Sequence, residues 1–153
     1  MAPAEKHAWG SLIAMGLIYY YFQMRMLDGW GIVSTTPKDL LGLYIVVVVL
    51  SIISESVIAA ILANKKLGDI EKDERDIQIE ARANGNEHLF LIAAINIFLF
   101  HVIADAAFEN HILPRYDLTD LSSLVFVLFS VLFAGEAVKR ISIIYLYNNH
   151  SEG

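Results

Sequence analysis

The chain has 153 residues, of which 56% are hydrophobic and 18% charged, with a mean hydropathy of +0.53. This is more apolar and less charged than soluble domains, and it is too apolar for a disordered or collagen-like chain. With no cysteine there are no disulfides, thiolate nucleophiles or zinc ribbons. A formal charge of −6 argues against nucleic acid as a partner. The composition points to a small integral membrane protein.

A bilayer-crossing helix needs about 20 mostly apolar residues. The first candidate, about residues 8–27, carries no charge before Arg25. Its apolar run is followed by Gln23-Met24-Arg25-Met26 and no small-residue cleavage pattern, so it reads as a retained helix and not a signal peptide. Tyr19, Tyr20 and Tyr21 are consecutive and cannot share a face. At least one should point inward and find a hydrogen-bond partner. The second helix, about 38–64, opens on Thr36-Pro37-Lys38-Asp39. Thr36 is placed as N-cap, Pro37 at the first helical position, and a carboxylate three residues after the cap. The β-branched run Val46–Val49 would favour a strand in water, but lipid enforces a helix. The third helix covers about 87–109. The fourth covers about 119–147 and is started by Asp117, Thr119 or Asp120. Its Ser123, Ser130, Ala134 and Ala137 form a small-residue stripe suited to close helix approach.

The expected fold is therefore all-α: one membrane domain over 1–153, four transmembrane helices in two hairpins. A cytoplasmic amphipathic segment, 65–87, lies between helices 2 and 3. Placing both termini in the cytoplasm puts Lys6, Lys65, Lys66, Lys72, Arg75, Arg82, Lys139 and Arg140 inside, and only Arg25, Lys38 and Arg115 outside. Trp30, Tyr44 and Tyr116 then fall near the outer boundary, and Tyr145 and Tyr147 near the inner one. In the 65–87 segment Ile70, Ile77 and Ala81 share a face, and Gly85 is either a helix break or a tolerated kink. The segment reads as a solvated elbow or as a docking surface.

An ionised side chain near a helix centre costs about 2.5–3.5 kcal/mol, so each one within a span needs a reason. Glu55 lies on the order of 13 Å from the inner end of helix 2, with no Lys or Arg within one turn. It reads as a proton- or cation-binding carboxylate, or as a protonated side chain bonding across helices. His101 and Asp105, spaced i,i+4, form a stripe continued by Glu109. The stripe reads as a proton relay, a hydrated vestibule or an interhelical hydrogen bond; as a metal pair it would need a further ligand such as His111. Glu136 and Arg140 form a self-neutralised i,i+4 pair, and a Glu55–Arg140 contact is open if helix 4 is long.

Asp73-Glu74-Arg75-Asp76, followed by Ile77 and leading into a membrane helix, resembles a motif of a family of small prokaryotic four-helix membrane proteins. That resemblance implies a four-helix membrane fold and gives no activity. Asn84-Gly85-Asn86-Glu87 resembles part of the R-x-x-x-N-x-x-E motif of the membrane enzymes of eicosanoid and glutathione metabolism. It would make Arg82, Asn84 and Glu87 cofactor contacts. Here Glu80 stands where that motif has Arg, and the motif opens the third helix instead of the second.

No Walker loop, dinucleotide fingerprint, H-E-x-x-H or nucleophile elbow is present. No catalytic residue, metal site or cofactor is assigned. The leading expectation is a non-enzymatic membrane module, homo-oligomeric in the bilayer, with Asp73, Glu74, Arg75, Asp76 and Ile77 contacting a cytoplasmic or membrane partner. The alternatives are a small proton- or cation-coupled transporter or channel using Glu55, His101, Asp105 and Glu109, and a glutathione-transferase-like enzyme.

Overall fold

The computed structural model describes residues 3–29, 31–63, 74–108 and 120–149. These form four helices: α1 Pro3–Met26, α2 Pro37–Ala63, α3 Glu74–Phe108 and α4 Leu121–Asn149. A two-residue ladder joins α1 to α2, with β1 Leu27–Asp28 antiparallel to β2 Gly31–Ile32. Gly29 sits between them at φ 61°, the left-handed region that glycine enters without steric cost.

The helix starts follow local chemistry. Thr36 Oγ1 accepts from the Asp39 amide (3.3 Å) and donates to the Asp39 carboxylate (2.7 Å), while Pro37 opens α2. Asp120 accepts from the Ser122 and Ser123 amides (3.1 and 3.3 Å) and so caps α4. Val46–Val49 lie within α2 as a helix.

Two buried clusters set the packing. At the end of the bundle carrying the β1–β2 turn, Ile18, Phe22, Met26, Leu40 and Val47 pack with Phe126, Phe129 and Phe133. Phe22 is the centre, stacked on Phe129 at 5.1 Å and Phe126 at 5.9 Å between centroids. At the opposite, basal end, Ala8 packs with Ile79, Ala83, Ile143, Ile144 and Tyr147. Thus α1 and α4 contribute to both clusters, α2 only to the first and α3 only to the second. Between Ala8 and Met26 the partner residues on α4 fall from 147 to 125, so α1 and α4 run in opposite senses. Tyr19 points inward and donates to Ser130 on α4 (3.0 Å), while Tyr20 and Tyr21 are exposed.

Among the described residues, α2, α3 and α4 are long and apolar enough to cross a membrane. Only 6% of the most apolar stretch of α2 is buried within the protein, so its aliphatic side chains face outward. Exposed apolar surface on that scale marks a membrane-facing or interaction surface, not the exterior of a soluble monomer. α1 is not among the three. Its tyrosine triplet, Trp9 and Gln23 dilute the apolar residues.

α3 differs from the expected elbow. It runs unbroken through Gly85 for 35 residues, about 52 Å at ~1.5 Å per residue. A Cβ at Gly85 would meet nothing within 4 Å, so the site is neither a break nor a close approach. The face of this extension also differs. Ile77 is 53% exposed and Ala81 is exposed, whereas Ile79 and Ala83 are buried. The surface offered by α4 selects the second pair. Ile70, Asp73, Glu109, His111, Trp30, Tyr116 and the other proposed cap residues of α4, Asp117 and Thr119, lie outside the described residues.

Candidate functional site

The antiparallel course of α1 brings its first turns level with the ends of α2 and α4. Four ionisable side chains meet there. Arg140 Nη2 contacts the Glu136 carboxylate at 2.7 Å and the Glu55 carboxylate at 3.4 Å. The first is the expected i,i+4 pair, and the second closes the contact between helices 2 and 4. His7 on α1 completes the group, with Nε2 3.5 Å from Glu55 and Nδ1 3.5 Å from Arg140 Nη1 and 3.4 Å from Ser11 Oγ. These contacts agree with one tautomer: Nδ1 accepts from Arg140 and Ser11, and Nε2–H faces the carboxylate.

Formal charges decide what this cluster can do. Two carboxylates, one guanidinium and a neutral imidazole sum to one negative charge. One proton, on His7 or on a carboxylate, or one bound cation makes the group neutral. The Arg140 side chain is the least exposed of the four at 15%, and its buried Nε–H donates to no protein group.

Two cavities meet at this cluster. A groove of about 440 Å³ runs between α1, α2 and α4. Its walls are apolar and aromatic, including Val47, Val48, Phe129 and Phe133, and Glu55, Glu136 and Arg140 stand at its charged end. A basal cavity of about 460 Å³ is lined by His7, Asp76, Glu80, Arg140 and Tyr147. Arg140 therefore borders both, and His7 links the basal cavity to Glu55.

The extension of α3 is tied to α4 over the basal cavity. Tyr147 donates to Asp76, and the Arg75 guanidinium lies 5.9 Å from the centroid of the Tyr147 ring. Further along, Asn86 donates to Ser142 (3.1 Å) and Lys139 pairs with Glu87 (3.6 Å).

These placements separate residues the sequence grouped. Of the acidic motif, Arg75 and Asp76 turn toward Tyr147, while Glu74 and Ile77 face outward. Arg82 and Asn84 are exposed and Glu87 turns to Lys139, so the three do not converge on one site. His101 stays on its own helix, with Nδ1 2.9 Å from the Ile97 carbonyl and its ring edge-on to Phe100. Asp105 lies in α3, with its side chain outside the described part. Among the described residues no group of three or more His, Asp or Glu is arranged to hold a metal ion. The sequence reading missed His7 and Ser11, whose i,i+4 spacing in the first turns of α1 was the available signal, and it placed Tyr147 only as a boundary aromatic.

No protein-family model, curated protein or solved structure matches the chain.

Proposed function

We propose that the chain is a four-span membrane protein of two helical hairpins, with both termini and the α3 extension in the cytoplasm, and that it is a small proton- or cation-coupled transporter. The observation that carries this reading is the His7–Glu55–Glu136–Arg140 cluster, one negative charge in excess, standing where an apolar groove meets a basal cavity that also holds Asp76 and Glu80. Its depth supports the assignment. At ~1.5 Å per residue, Glu55 lies about 22 Å along α2 from Leu40 and Arg140 about 28 Å along α4 from Leu121. Against a hydrocarbon core of about 30 Å, Glu55 sits inside the membrane and Arg140 at its inner edge. With the N-terminus taken as cytoplasmic, the order of the spans assigns eight of the 11 Lys and Arg to the inner side, which agrees with the positive-inside rule. α1 completes the fourth span because its Ala8 and Met26 are buried at opposite ends of the bundle.

The test is proton flux into proteoliposomes carrying a trapped pH-sensitive dye. The wild type should dissipate an imposed pH gradient. Glu55→Gln should lose most of that flux, because it removes the carboxylate that joins His7 to Arg140, while melting as the wild type does. Equal flux in the two refutes the transport reading. It would favour instead the membrane module, for which the exposed Ile77 on the outward side of α3 offers a contact.

A further inference from the structure

We infer that the groove between α1, α2 and α4 binds a lipophilic organic cation, an aromatic ammonium or phosphonium, in exchange for the proton of the charged cluster. The inference rests on the transport reading above and names its substrate class.

Shape comes first. At about 440 Å³ the groove lies in the lower part of the ~300–1,000 Å³ range of small-molecule sites. Its lining is largely aliphatic and aromatic, which excludes a hydrated inorganic ion as the main occupant. Ile52 and Leu132 line it and are also exposed on the outer surface, at 62% and 58%. A membrane-dissolved molecule can therefore enter sideways, without crossing the polar basal end.

Charge then selects the sign. The charged end presents Glu55 and Glu136 to the groove with Arg140 as the one cation. Around Glu55, α1 supplies His7 and α4 supplies Glu136 and Arg140. On the far side of Arg140, α3 supplies Asp76 and Glu80. Lys139 is held by Glu87, Arg75 lies over the Tyr147 ring, and the buried Glu5 adds a further carboxylate on α1. Among the described residues lining the groove, carboxylates outnumber cations two to one. An anionic head would meet two carboxylates, and a cationic head supplies the missing positive charge. Phe129 and Phe133 on the groove wall add favourable ring faces for a cation with aromatic substituents. The proton and the organic cation satisfy the same unit charge, so each expels the other.

Equilibrium binding of labelled tetraphenylphosphonium to the full chain in micelles tests this, with tetraphenylborate as a competitor of nearly the same shape and opposite charge. Binding should saturate at one site per chain, and tetraphenylborate should not compete. Affinity should fall as pH is lowered, approaching about tenfold per pH unit once the cluster holds its proton, because one proton is displaced. Glu55→Gln and Glu136→Gln should each weaken binding at least about tenfold, because each removes one close charge–charge contact with the bound cation. Equal competition by tetraphenylborate overturns the inference, as does binding that ignores both variants. Absent binding in a preparation that keeps Glu55-dependent proton flux overturns the substrate class alone. Loss of both overturns the transport reading with it.

Discussion

Gly135 on α4 faces Leu91 on α3, and a Cβ there would lie 2.7 Å from Leu91 Cδ2 and 3.0 Å from its Cγ. The terminal methyl can rotate away, but Cγ is fixed close to the α3 backbone, so the two helices must separate slightly. Overpacking of this kind costs about 1–3 kcal/mol. The better helix propensity of alanine returns up to ~1 kcal/mol. With that return in full, Gly135→Ala should destabilise by up to roughly 2 kcal/mol, which lowers the melting temperature by up to about 8 °C at this chain length. Gly85→Ala is the matched control. Nothing lies within 4 Å of its Cβ, and it stands on an exposed part of α3. There only the propensity gain operates, about 0.5–1 kcal/mol of stabilisation. In a Leu91→Ala background, Gly135→Ala should lose its cost, since the atoms it strikes are gone and the coupling within such a contact is ~0.5–3 kcal/mol. Thermal unfolding in micelles reads the wild type and the four variants. A Gly135→Ala melt at or above wild type, or a cost that persists without Leu91, refutes the packing argument.

Two further outcomes follow from the helix ends. Asp120→Ala removes the acceptor for the Ser122 and Ser123 amides and should cost about 1 kcal/mol, with faster amide exchange confined to the first turn of α4; unchanged exchange there would dismiss the cap. Tyr147→Phe removes the bond to Asp76 and should speed amide exchange across 74–83 by roughly five- to tenfold, the equivalent of about 1 kcal/mol, while leaving the Phe22 cluster as protected as before. Equal exchange across that segment would show that the extension is held by Ile79 and Ala83 alone.

The features legible in the sequence were those set by neighbours in the chain. Thr36-Pro37-Asp39 and Asp120 cap helices through bonds to residues two or three positions on, and Glu136–Arg140 is one helical turn. That one of Tyr19, Tyr20 and Tyr21 points inward followed from their being consecutive, since three such rings cannot share a face; that it is Tyr19 comes from its bond to Ser130. The Glu55–Arg140 contact depended on how far helix 4 extends, and α4 continues to Asn149. What the sequence could not fix was which of two faces the α3 extension buries. Ile77 with Ala81 and Ile79 with Ala83 are equivalent by spacing, and the choice belongs to Ile143, Ile144 and Tyr147, on a helix far along the chain. His7 was hidden for the same reason. Its partners Glu55 and Arg140 lie on two other helices, and a histidine in a first turn carries no local sign of them.

Among the described helices α1 alone is not apolar enough to count as a membrane span by composition, yet it is the one that α2 and α4 both pack against. That combination bears on how the protein is made. Made before α2 and α4, α1 carries Trp9 and three tyrosines that have no partner helix at that stage. Its inward partner for Tyr19, Ser130, is synthesised 111 residues later. α1 is therefore placed only provisionally until α4 has been made, a window in which chaperones and proteases have access to it. Substitutions on the α1-facing side of α4 should then reduce the amount of protein that accumulates in cells more than they reduce the stability of the finished molecule.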